Sequence, residues 1–392
     1  MQNFYFNFAT RIHFGRSVLY ELTDEILKYG DKIFFVYGEN SAKRNGAYDL
    51  IHALCEEKGI QVIDFTGIEP NPRHTTVDKA ISLIKVEKPD CIVAMGGGSI
   101  IDSAKAMSFG AYHDGSCWDF YEGKAKAKQA LPLITIPTIA ASGAEVSNVS
   151  VIVNMEEQRK SHYRHDIMRP AAVFSDPSYT FSVPAFQTAC GVIDAMSHIY
   201  EGYFSHSSGS VQDGMSEGIQ KACIEHGLRV MKNPYNYESR AQLLWAAQLT
   251  ITHLADNGRI FIGAIHALES ALSGYLGLTH GAGIGICTLA WLKYALNEQT
   301  AYRIAGWGRN VWAICGESND METAKKAIEH FENFLIKLNL PLTLSDLKGD
   351  IDQQILRKAA HLVFLSNDTT QWFRPLLTEE EVFNVMKIAY KQ

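Results

Sequence analysis

The stretch Cys91–Lys105, CIVAMGGGSIIDSAK, decides the fold. Cys91–Met95 is an unbroken apolar run, the pattern of a strand covered on both faces. It passes directly into Gly96, Gly97 and Gly98, and a helical stretch follows from Ser99 through Ile101, Asp102 and Lys105. Glycines at a strand-to-helix turn let the backbone approach a phosphate, and the helix behind them offers free N–H groups and the positive end of its dipole. Ser99 suits an N-cap or a phosphate contact. The turn is not G-x-G-x-x-G, because Ile101 occupies the last glycine position, and it is not G-x-x-x-x-G-K-[ST]. A phosphate-binding turn outside those two patterns is the functional reading; a tight turn without ligand is the alternative.

Outward from this turn, Lys32–Tyr37, Gln61–Phe65 and Leu133–Ile136 are further β-branched or aromatic runs, separated by amphipathic segments such as Val77–Val86. That alternation predicts a Rossmann-like parallel sheet with helices on both faces. Gly38-Glu39-Asn40-Ser41 follows the first run, where a ribose lies in a doubly wound sheet. After Asp176–Thr180 and Pro184 the pattern changes to long helical periods over Thr188–Phe204, Val211–Met231, Tyr237–Leu254 and Ile260–Leu276. The expectation is an α/β nucleotide-binding domain over 1–185 and an all-α domain over 186–392.

Asp194 and His198 stand one turn apart in the first of those helices, on one face. His266 falls in another helical stretch, and His280 where one helix ends and the next begins. One carboxylate and three imidazoles suit Fe2+ or Zn2+ and disfavour Ca2+ or Mg2+. The opposing reading is that each of these is an ordinary histidine among 14.

Composition narrows the class. The chain has 392 residues, 46% hydrophobic and 20% charged, with net charge -7, so nothing favours nucleic acid. Seven scattered cysteines without C-x-x-C spacing read as reduced thiols. No apolar run has the length of a membrane span, and the N-terminus lacks signal-peptide features, so a cytoplasmic location is expected.

Together these motifs resemble the iron-containing alcohol dehydrogenase family, in its butanol dehydrogenase and broad aldehyde reductase branch. The resemblance spans nearly the whole chain, through Thr10–Gly15, Gly67–Pro72, the Gly-Gly-Gly-Ser-x-x-Asp-x-x-Lys turn, Asp176-Pro177 and the Asp194, His198, His266, His280 set. It implies a dehydroquinate synthase-like architecture, a homo-oligomer (dimer), and hydride transfer between NAD(P)(H) and a small alcohol or aldehyde. It makes Gly97, Gly98 and Ser99 the pyrophosphate cradle and puts Asp102 near the nicotinamide. Thr138, Ser142 and Ser147 line the cofactor, Lys160 reaches it, and Asn71 lies near its adenosine half. The chemistry is implied at Asp102, His266 and the position of Ser270.

Three departures stand out. Ser270 replaces a histidine that relatives often use in a proton path, and Ala144 replaces a serine. Glu39 and Asn40 replace glycines after Gly38. Gly38 also lacks the aspartate that repels a 2′-phosphate in NAD-specific relatives. Lys43 and Arg44 favour a phosphate, Glu39 opposes it, and the balance leans to NADP(H). The rival readings are a dehydroquinate synthase-like lyase and a non-catalytic metal- or nucleotide-binding relative. The lyase needs a basic site for a phosphorylated substrate, and no such cluster surrounds Asp194–His280.

Overall fold

A computed structural model describes residues 2–391 apart from Gln158 and Ser208, and leaves the side chains of Glu39, Asn40 and Ser41 outside the described residues. The chain divides into two compact units, one of residues 7–183 and one of residues 184–392 together with 1–6. The first residues thus leave the α/β unit to which the sequence reading assigned them. Gln2 N–H donates to Gly258 O at 2.9 Å, a backbone tie within the helical unit.

Among the described residues the α/β unit contains eight strands: β1 (Arg11–Phe14), β2 (Lys32–Tyr37), β3 (Gln61–Phe65), β4 (Cys91–Gly96), β5 (Leu133–Pro137), β6 (Val149–Asn154), β7 (Arg159–Arg164) and β8 (Ala172–Ser175). Six form a parallel sheet in the order β1-β8-β5-β4-β2-β3. The remaining pair, β6 and β7, is an antiparallel hairpin. The anticipated runs form β2, β3, β4 and β5. Strands β1 and β8 and the hairpin add what the sequence pattern did not announce.

Alternation along the strands sends residues to two apolar layers. Phe34, Val36, Ile92 and Ala94 face one side, with Val77, Ala80, Ile81 and Ile84 of the helix His74–Glu87 and Ile101, Ala104 and Met107 of the helix Gly98–Gly110. Phe35, Val93, Met95 and Ile136 face the other, with Ala47, Ile51 and Cys55 of the helix Ala47–Glu57. Each fully buried aliphatic side chain contributes roughly 1.5–3 kcal/mol. Because both faces are covered, β4 has no polar alternation to show.

The strand order reverses between β2 and β4: β3 lies outside β2, whereas β5 and β8 continue beyond β4. Such a switch point opens a crevice at the carboxyl ends of the strands. The turn after β2 at Gly38 and the turn after β4 at Gly97 both stand there.

The helical unit has nine long helices among the described residues. Their labels follow those of α1 (Glu39–Arg44), α2 (Ala47–Glu57), α3 (His74–Glu87) and α4 (Gly98–Gly110), four of the helices of the α/β unit. They are α5 (Ala185–Tyr203), α6 (Ser210–Lys232), α7 (Tyr237–Ile251), α8 (Ala264–Leu276), α9 (His280–Ala295), α10 (Ala301–Trp312), α11 (Asp320–Lys337), α12 (Gln353–Ser366) and α13 (Glu379–Tyr390). Helix α5 is buried without interruption from Thr188 to Tyr203, as expected of a helix packed on several sides by α6, α7 and α9. The helical period expected from Ile260 starts later, at Ala264, because Gly263 adopts φ 62° and cannot continue a right-handed helix backwards.

Six of the seven cysteines are buried and Cys315 alone is exposed. Burial pushes the thiol of Cys55 up to about 11 and those of Cys91, Cys190 and Cys223 to about 12. No helix among the described residues is long and apolar enough to cross a membrane.

Candidate active site

In the α/β unit, Gly97 precedes α4 in an extended conformation, and no side chain caps that helix. Its first N–H groups therefore remain available to a ligand. A Cβ at Gly97 would come within 3.1 Å of Ile139 Cγ2, and one at Gly98 within 3.2 Å of Ser142 Oγ. The loop after β5 thus crowds the turn so closely that side chains there would fill the cradle. Ser99 is half-buried on the first turn of α4. Thr138 is buried, its N–H donating to Gly96 O at 3.1 Å, and Ser142 is half-buried.

Two of the sequence-designated polar residues are committed within the fold. Asp102 Oδ2 accepts from Val151 N–H at 3.1 Å, and Oδ1 lies 3.4 Å from Lys105 Nζ. Lys105 is fully buried and also donates to Ser147 Oγ at 2.8 Å and Val149 O at 2.7 Å. Burial pushes the Asp102 carboxyl up against the pull of Lys105. This network pins α4 to β6, so Asp102 and Ser147 hold the shape of the turn. Lys160, half-buried on β7, pairs in register with Val153 and lies near enough for its charge to favour ionised Asp102. Asn71 is exposed with φ 55°, a left-handed position that asparagine tolerates. Gly38 N–H donates to Met95 O at 3.1 Å, tying the two switch-point turns together. Lys43 lies over the rings of Tyr37 and Tyr48, 6.0 and 5.4 Å from their centroids. The side chains of Glu39, Asn40 and Ser41 lie outside the described residues.

The helical unit brings together all four sequence-designated ligands. Asp194 and His198 lie on α5, His266 on the first turn of α8, and His280 opens α9. Asp194, His198 and His266 each offer a ligand atom, all within 4.8 Å of one another. His280 Nε2 lies 3.6 Å from Asp194 Oδ1. The His198 and His266 rings stack at 5.0 Å between centroids, and His266 and His280 lie 5.7 Å apart. Gly281 makes this possible. A Cβ there would overlap the Cys190 carbonyl, so only glycine lets α9 reach α5 one turn before Asp194.

The donor set fits a divalent transition metal. His198 Nδ1 and His266 Nε2 are buried and have no hydrogen-bond partner among the described residues. Orphaned ring nitrogens facing an acid are costly unless a cation joins them. Burial first, and then the neighbouring His266, His280 and His253, hold the His198 pKa well below the usual histidine range, so the ring is neutral and ready to ligate. Ser270 is exposed on α8, one turn beyond His266.

Two carboxylates that the sequence reading did not single out border the ligands. Glu201, fully buried, accepts from the His266 backbone N–H at 3.0 Å and faces His266 Nδ1 at 2.9 Å. Glu269, also fully buried, faces His280 Nδ1 at 2.7 Å. Helical spacing was a usable signal: Glu201 follows His198, and Glu269 follows His266, by about one turn each. Each nevertheless serves the histidine of the next ligand-bearing helix, which spacing alone does not reveal.

Fold and site together define the dehydroquinate synthase-like class, a doubly wound nucleotide unit followed by a helical unit. A model of the iron-containing alcohol dehydrogenases matches residues 9–177, and one of the C-terminal part of the Fe-containing alcohol dehydrogenase family matches residues 188–390. NADH-dependent butanol dehydrogenase A of Clostridium acetobutylicum is 38% identical over 392 residues, covering 100% of both chains. The NADPH-dependent aldehyde reductase YqhD of Escherichia coli is 31% identical, covering 91% of this chain and 93% of its own. The crystal structure of NADH-dependent butanol dehydrogenase A from Thermotoga maritima superposes with a TM-score of 0.92 at 32% identity, covering 100% of this chain and 99% of the other. The chain belongs to the iron-containing alcohol dehydrogenase family.

Proposed function

We propose that the chain interconverts small primary alcohols and aldehydes with NAD(P)(H), acting mainly as an aldehyde reductase. The convergence of Asp194, His198, His266 and His280, two of them with orphaned ring nitrogens, carries this reading. Fe2+ or Zn2+ in this set supplies Lewis-acid polarisation of the substrate oxygen, and the nicotinamide supplies or accepts the hydride. The butanol dehydrogenase and aldehyde reductase relatives support small alcohols and aldehydes as substrates.

The chain's own residues have distinct tasks. Asp194, His198, His266 and His280 hold the ion. Gly97, Gly98 and Ser99 hold the pyrophosphate against the N-terminus of α4, with Thr138 and Ser142 beside it. Asn71 and Gly38–Ser41 serve the adenosine and ribose. Asp102, held by Lys105, keeps the turn in shape beside the nicotinamide, and Lys160 adds a positive charge there. The Ser270 hydroxyl is a weak proton carrier, so the proton reaches the substrate oxygen through water or the ribose hydroxyls.

Nucleotide preference leans to NADP(H), because Gly38 leaves no carboxylate at the position nearest a 2′-phosphate and Lys43 and Arg44 stand on the same short helix. The relatives named NADH-dependent favour the opposite choice. A cytoplasmic homodimer is the assembly the family resemblance carries, and light scattering of the purified protein tests it. The decisive experiment is His266→Ala, with metal content measured by mass spectrometry and butyraldehyde reduction followed by nicotinamide absorbance. Loss of both is expected; full metal content with undiminished turnover removes His266 from the ligand set.

A further inference from the structure

We propose that Glu201 and Glu269 are positioning residues that set how tightly the helical unit holds its metal. This rests on the four-ligand reading given above. An ionised carboxylate can only accept a hydrogen bond. The 2.9 Å and 2.7 Å contacts therefore place the ring proton of His266 and of His280 on Nδ1. Nε2 of each ring then carries the lone pair that can ligate an ion. In His266 that atom is buried without a hydrogen-bond partner among the described residues, and in His280 it is the atom beside Asp194.

The two clamps differ in build. Glu201 Oε1 takes both the ring and the backbone N–H of His266. Helix α8 begins after Gly263 with no side-chain cap of its own, so this carboxylate from α5 satisfies an open N–H at the positive end of α8. It fixes where His266 starts as well as how its ring turns. Glu269 faces the ring of His280, in space kept by Gly283, where a Cβ would come within 3.0 Å of Glu269 Cγ. Helices α5, α8 and α9 are thereby linked in series through one carboxylate–imidazole pair at each step. The two added negative charges also favour a divalent cation over an empty site.

The test is metal affinity. Wild type, Glu201→Gln, Glu269→Gln and the matching Ala variants are stripped of metal and titrated with Zn2+ against a chromophoric chelator. Absorption of the Co2+-loaded forms is recorded alongside, as is thermal unfolding of the metal-free forms. Gln retains an acceptor but loses the charge; Ala loses both. We expect one ion per wild-type chain, about 10-fold weaker binding in the Gln variants and up to about 100-fold in the Ala variants, with an altered Co2+ spectrum. If the Ala variants fail to fold, the Gln pair carries the comparison. Wild-type affinity and spectrum in the Gln variants would overturn the proposal while leaving the four-ligand reading intact. Failure of the wild type to bind any ion would overturn both.

Discussion

Gly281 of α9 sits so close to Cys190 of α5 that a methyl group on it would overlap the Cys190 carbonyl. This contact sets the approach of α9 to α5, and so the distance from His280 to Asp194. Gly281→Ala should force the helices apart at a cost of about 1–3 kcal/mol, lowering both melting temperature and metal content. Gly274→Ala on α8 is the control, because nothing lies within 4 Å of its added methyl. It should keep its metal and gain up to about 1 kcal/mol of stability. Calorimetry with metal analysis checks both.

The glycine cradle yields a prediction confined to the α/β unit. Gly98→Val places branched carbons where even a Cβ comes within 3.2 Å of Ser142 Oγ. Dinucleotide affinity should fall by about tenfold or more, equivalent to about 1.4 kcal/mol, with metal content unchanged. Titration of NADPH and NADH by fluorescence reads the loss.

Gly38→Asp tests nucleotide choice. An added carboxylate at the end of β2 repels a 2′-phosphate and accepts hydrogen bonds from a free ribose. The ratio of kcat/KM for NADPH over NADH should fall by about tenfold or more. An unchanged ratio would move the determinant away from this turn.

Glu25 gives the α/β unit an acid-sensitive anchor. Burial alone would raise its carboxyl, but hydrogen bonds from Arg11 and Lys28, the latter at 2.6 Å, outweigh burial and hold it below the usual glutamate range. With the folded value depressed, its contribution is complete above the unfolded value of 4.5 and is lost as pH falls through the folded one. Glu25→Gln should therefore melt earlier than wild type at neutral pH, with the gap closing at an acid pH below the folded value. A gap of equal size at both pH values would rule this out.

Legibility in the sequence followed burial. Strand β4 was readable because both its faces are covered and every residue is apolar. Strand β1 has an exposed-to-intermediate pattern, RIHF, and four residues carry too little period to recognise. Strand β8 is fully buried but equally short. Asp194 and His198 declared themselves because one helix carries both. The roles of Glu201 and Glu269 did not, because each depends on which helix packs against its own. Lys105 was visible as a motif letter, but its burial against Ser147 and Val149 comes only from the hairpin folding over α4.

The thiol inventory has a practical side. With six sulfhydryls walled off and held protonated, a maleimide applied at neutral pH should find a single address, Cys315, in the connection between α10 and α11. The protein can then carry one dye or one surface tether without cysteine-removing mutagenesis.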